Sequence, residues 1–172
     1  ADYQYNVDFN PRNIIGDKYA NSSERYYGNA DIKGPESFHG THVAGIIAAN
    51  RTNNLGIQGV ANNVQIMGVR CVPDGDEHDK DVANSIRYAV DNGAQVINMS
   101  FGKSYKWDKK AVDDAVKYAE SKDVLLVHAA GNDSKDNDNN DNFPTDKFEK
   151  AGLFAKKYAS NWLEIGAASY KT

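Results

Sequence analysis

From residue 64 onward, short runs of β-branched and other apolar residues alternate with longer stretches in which apolar positions recur at helical spacing. The short runs, at 64–72, 95–99, 124–128 and 162–167, are the strand candidates. Between the first two lies KDVANSIRYAVDNG, residues 80–93, where Val82, Ile86, Ala89 and Val90 fall on one helical face and Gly93 supplies a left-handed C-terminal stop. Between the next two, WDKKAVDDAVKYAESK at 107–122 repeats that face with Val112, Ala115, Val116 and Ala119, while its Lys and Asp positions point to solvent. Strands separated by helices predict an α/β fold, a parallel β-sheet flanked by crossover helices.

The first 38 residues break the pattern. They are rich in Asn, Tyr, Gly and Asp, only 5–9 and 13–16 look partly extended, and long loops are expected. A second irregular region runs from 132 to about 160 around the polar stretch NDSKDNDNNDN, a solvated surface loop. No repeat or linker divides the chain, which reads as a single partial domain with an irregular segment at 1–38 and a central α/β part at 39–172.

Composition narrows the function. With 172 residues, 40% hydrophobic and 26% charged, the chain can bury a core of its own. A formal net charge of −4 and the lack of any basic stripe argue against nucleic acid as a general partner. No run approaches the roughly 18 apolar residues of a membrane span, and the N-terminal run ADYQYNVDFN has no signal-peptide pattern. Cys71 is the single cysteine, so an intrachain disulfide is ruled out; its apolar surroundings, VQIMGVRCV, predict a buried strand residue rather than a nucleophile.

Four segments could carry chemistry. HGTHVAGIIAAN, 39–50, reads as a helix with His39 in its first turn and small residues at Gly40, Ala44 and Gly45 for close packing. An imidazole there can act as a general base, one nitrogen taking a proton while a carboxylate orients the other. His39 and His42 could instead share a metal, but no third ligand stands at a convincing spacing, and His42 is expected to be a packed core histidine. VINMSFG, 96–102, is a strand ending in Ser100, Phe101 and Gly102, which form either an ordinary turn or an edge that pairs with an extended peptide. VLLVHAAGND, 124–133, leads into Ala129, Ala130, Gly131 and Asn132, small residues that admit a substrate followed by a carboxamide able to donate to a developing oxyanion. PDGDEHDKD, 73–81, reads as an acidic loop whose Asp79 and Asp81 favour the dipole of the next helix.

In this order HGTHVAG, VINMSFG, AAGN and NWLEIGAAS resemble the subtilase family of serine proteases, over about residues 5–169. The resemblance implies that His39 is the general base of a Ser-His-Asp triad and Asn132 the side-chain donor of the oxyanion hole. It implies that Ser100, Phe101 and Gly102 pair with the substrate backbone and that Ala129, Ala130 and Gly131 wall the primary specificity pocket. The partner is then a peptide or protein substrate, and the location secreted, extracellular or periplasmic. No cofactor is required for the chemistry. A structural calcium ion is allowed by the loop AANRTNNLGIQGV, where Asn50, Asn53 and Asn54 offer oxygens, although the loop is one residue longer than the common pattern. The run 133–141 lacks the turn Gly and bidentate Glu of an EF-hand. By position the acidic stretch 74–77 corresponds to non-primed subsites, where it would favour basic side chains.

The chain also departs from the family. No Asp followed by Thr or Ser and Gly precedes the histidine, and Asp8, 31 positions before His39, lacks the apolar strand of a triad Asp. The family nucleophile lies in a GTSMA-like motif, and Ser100, Ser104, Ser134, Ser160 and Ser169 all lack that context. The expectation is a central fragment of a subtilisin-like endopeptidase, inactive by itself and open to self-association. A non-catalytic pseudoprotease or peptide-binding module is the alternative. A nucleotide binder is disfavoured because no GxGxxG follows a strand.

Overall fold

A computed structural model describes residues 12–149 and 155–168. The elements run α1 (Arg12–Ile15), α2 (Phe38–Ala48), α3 (Asp79–Asp91), β1 (Val96–Met99), α4 (Lys109–Ser121), β2 (Leu125–Ala129) and β3 (Trp162–Ile165). Contacts divide the chain into two compact units: one is Ala30–Arg70, the other comprises the residues on either side of it.

In the larger unit, β1, β2 and β3 form a parallel sheet in that order, with Met99 opposite His128 and His128 opposite Glu164. The two predicted amphipathic stretches are α3 and α4, and their apolar faces are buried as the periodicity requires: Val82, Ile86 and Val90 on one, Val112, Ala115, Val116 and Ala119 on the other. Together with Met99 and the fully buried Leu126 they make the core. Helix α4 is capped by Asp108, whose carboxylate accepts from the Ala111 N–H at 3.2 Å.

Two expectations fail here. Residues 13–16 are not extended: Arg12–Ile15 form a short helix, closed by the Gly16 N–H on the Arg12 carbonyl at 2.9 Å. Long-range charge decides this, because the buried Arg12 guanidinium is held by Asp17 at 2.6 Å and by Asp81 of α3 at 2.6 Å. Residues 64–72 form no strand, since apolar composition gives a propensity but a strand needs a neighbour to bond, and none of the described strands pairs with them. Val64 and Ile66 are half-exposed as a result. The extended expectation for 5–9 lies outside the described residues.

In the smaller unit, residues 59–61 double back along the C-terminal turn of α2. The Gly59, Val60 and Ala61 N–H groups bond the carbonyls of Ala49, Ile46 and Ile47 at 2.8–2.9 Å, which satisfies the helix end. A Cβ on Gly59 would lie 2.3 Å from the Ala49 nitrogen, so this approach needs glycine.

Glu120, in the last turn of α4, holds the segment that leads into β3: its carboxylate accepts from the Ser160 N–H at 2.8 Å and also contacts the Lys156 ammonium and the Ser160 hydroxyl. Burial opposes ionisation, but these bonds outweigh it and lower the carboxyl from the ordinary 4.5 to about 2. A lowered folded pKa contributes stability above about 4.5 that is lost as pH falls towards about 2. Urea denaturation at pH 6 and pH 3 is therefore expected to show a loss of about 1–2 kcal/mol from this group after screening at half-exposed Lys156, absent in Glu120→Gln.

Candidate functional site

Parallel strands deliver their carboxyl ends to one edge of a sheet, where an α/β fold opens its ligand crevice. Here the segments leaving β1 and β2 line a cleft of about 350 Å³: Ser100, Phe101 and Gly102 on one side, Ala129, Ala130, Gly131 and Asn132 on the other, with Asn137 and Asn142 of the following loop closing it. Seven residues singled out in the sequence thus stand together, and the Asn132 carboxamide is exposed at the cleft.

Both walls are anchored from below. Lys103 exchanges backbone hydrogen bonds with Phe143 at 3.0 and 2.8 Å, which ties the first wall to the loop. The buried Lys103 ammonium donates to the Glu77 carbonyl at 2.5 Å and faces Asp79 Oδ1 at 2.7 Å, in ion-pair rather than hydrogen-bond geometry. The other Asp79 oxygen accepts from the Trp107 and Asp108 N–H groups at 2.7 and 2.6 Å, so one carboxylate at the start of α3 gathers the whole 103–108 turn. Asn142 donates to the Ala129 carbonyl at 2.7 Å, and its oxygen would lie 2.3 Å from any Cβ on Gly102. That side chain occupies the floor between the walls.

In the sequence, His128 stands only as the end of the strand candidate 124–128. It is fully buried, with Nε2 at 2.8 Å from the Phe101 carbonyl and Nδ1 at 3.0 Å from Glu164 of β3. The signal was a single imidazole ending the apolar strand VLLVH and a carboxylate inside the strand WLEI.

His39 belongs to the smaller unit, where it occupies the first turn of α2 and is exposed, with no hydrogen bond to its ring among the described residues. His42 is not the packed core histidine expected: it is exposed and stacks on Phe38, ring centroids 6.1 Å apart. None of the eleven residues of α2 is buried, so no core is formed there for it to enter.

Cys71 is half-buried in an irregular segment rather than a strand, and burial pushes its thiol up to about 12. The acidic stretch is split: Glu77 is turned inward, where burial raises its carboxyl, and Asp76 accepts the Tyr105 phenol, pushing that hydroxyl up to about 12. Among the described residues no three His, Cys, Asp or Glu side chains converge as metal ligands. The Asn50 and Asn53 oxygens accept from the N–H groups of Thr52 and Leu55 at 2.8 and 3.0 Å, within the loop's own turns. Asp8 and Ser169 lie outside the described residues.

The family model of the subtilase family matches residues 5–171. The chain belongs to the subtilase family. A thermophilic serine proteinase of Bacillus sp. (strain AK1) is 45% identical over 55% of the chain and 23% of its own length. The major intracellular serine protease of Bacillus subtilis is 38% identical over 70% of the chain and 37% of its own length. Two minor extracellular proteases of the same organism also match. Among solved structures, the S218A mutant of the protease domain of PatA superposes with a TM-score of 0.60 at 27% identity, covering 83% of this chain and 47% of that one. The match therefore spans between 12% and 37% of the length of these curated relatives. As a subtilase it has relatives that are serine proteases, and among its described residues no helix is long and apolar enough to cross a membrane.

The Asp79 anchor is expected to be costly to break. Asp79→Ala strands the buried Lys103 ammonium and two N–H groups, and should lower stability by about 3–5 kcal/mol in urea denaturation.

Proposed function

We propose that this chain supplies the substrate cleft, the oxyanion carboxamide and the general-base histidine of a serine endopeptidase. The observation that carries the reading is the meeting of Ser100, Phe101 and Gly102 with Ala129, Ala130, Gly131 and Asn132 across one cleft at the carboxyl ends of adjacent parallel strands. An extended peptide can lie along the first wall by backbone pairing, and small residues on the second leave room for a side chain. Asn132, exposed at the end of that wall, can donate to the oxygen that gains charge when a peptide carbonyl is attacked. The exposed His39 imidazole would take the proton of the attacking hydroxyl and pass it to the leaving amine.

None of Ser100, Ser104, Ser134 and Ser160 is bonded to a histidine among the described residues, so these 172 residues by themselves are proposed to be inactive. The non-catalytic peptide-binding reading shares the same cleft and differs in its prediction for the whole protein. Secretion is proposed from the relatives named extracellular, while the relative named intracellular leaves the family open to both compartments. A preference for basic substrate side chains rests on Asp76 rather than Glu77, whose carboxyl faces inward.

In the full-length protein that carries this chain, casein hydrolysis is expected. His39→Ala should reduce kcat by at least about 100- to 10,000-fold, and Asn132→Ala by about 100- to 1000-fold, a magnitude taken from a subtilisin. The 172-residue chain alone should not be labelled by a fluorophosphonate probe. Full activity in His39→Ala would refute the role of that residue, and labelling of the isolated chain would refute its inactivity.

A further inference from the structure

We propose that His128 and Glu164 are positioning residues that tie the two walls of the cleft together, one through the Phe101 carbonyl and the other, by way of Asn137, through the Ala130 carbonyl. The proposal rests on the reading of that cleft as a peptide site. His128 is 0% exposed, and its ring is held edge-on by Phe101 at 6.4 Å and against the Trp162 indole at 5.3 Å. Its Nε2 stands 2.8 Å from the Phe101 carbonyl and its Nδ1 3.0 Å from Glu164 Oε2. Glu164 Oε2 also accepts from the Trp162 Nε1–H at 3.0 Å, while Oε1 accepts from the Asn137 amide at 2.9 Å. The same Asn137 amide donates to the Ala130 carbonyl at 3.0 Å.

Donor and acceptor accounting sets the roles. A carbonyl only accepts, so Nε2 carries a proton and donates to Phe101. An ionised carboxylate also only accepts, so the contact between Nδ1 and Oε2 needs a proton of its own, shared between them. The strand could hold an aliphatic residue at this buried place without a polar group to satisfy. What the imidazole adds is direction. A peptide unit is planar, with its C=O and N–H pointing opposite ways, so pinning the Phe101 oxygen aims the Gly102 N–H away from the ring. Asn137 does the same for the Ala130–Gly131 unit in the facing wall. One chain of hydrogen bonds therefore orients the backbone groups on both sides that a bound peptide would meet.

The test uses the full-length protein and quenched-fluorescent casein. His128→Leu and Glu164→Leu are each expected to raise KM about tenfold, with a smaller change in kcat. Glu164→Gln should raise KM less than Glu164→Leu, because its carboxamide can donate to Nδ1 and leave the Nε2–H on Phe101, although the Trp162 Nε1–H loses its acceptor. If His128→Leu does not fold, Asn137→Ala cuts the Ala130 arm alone from a partly exposed site and should also raise KM. Unchanged KM in these variants, or Glu164→Gln as impaired as Glu164→Leu, overturns the proposal. The ring is also read without activity: ¹⁵N signals of His128 should show a proton on Nε2 at neutral pH, and a bare Nε2 overturns the tie outright. A wild-type protein that leaves casein intact while His128 shows that proton overturns the endopeptidase reading instead.

Discussion

The candidate site depends on the parallel pairing of β1 with β2, which sets Met99 opposite His128. With that register, the segments leaving the two strands emerge side by side and form facing walls, although 27 or more residues separate them along the chain. The alternation of a strand leaves no freedom for a one-residue slip: it would turn Leu126 and His128 together from the buried face to the other. The core packed against that face, from α3 and α4, is what makes the register unique.

Beneath the walls the packing is not purely apolar. Asp79, Lys103 and His128 are all buried, and each is bonded to backbone at a place where the chain enters or leaves a regular element. Buried polar groups cost free energy unless paired, and here their partners are the carbonyl and N–H groups that have no strand neighbour to satisfy them. The same bonds that remove this cost also aim the peptide units of the cleft. Stability and site geometry thus rest on shared contacts, and a change to either is felt in both.

Legibility in the sequence followed the range of the deciding interaction. Helices α3 and α4 were readable because their periodicity is local and each buries the face that its pattern presents, and β1, β2 and β3 were readable as short apolar runs, although β3 buries none of its residues. Residues 64–72 looked equally strand-like and form none, since pairing is a property of two segments and not of one. The short helix α1 was missed for the opposite reason: Asp81, 69 residues away, holds Arg12 in place. His42 sits in a motif that suggested a core position, yet α2 has no buried residue to pack it against.

By itself the sequence determined the α/β class, the two amphipathic helices and the family, because motif order and apolar spacing are written into consecutive residues. It also marked seven of the residues that line the cleft. Only the tertiary structure decided that they face one another, that Glu77 turns inward, and that His128 and Glu164 meet beneath them. Those outcomes depend on strand register and on distant hydrogen-bond partners, which no local pattern along the chain encodes.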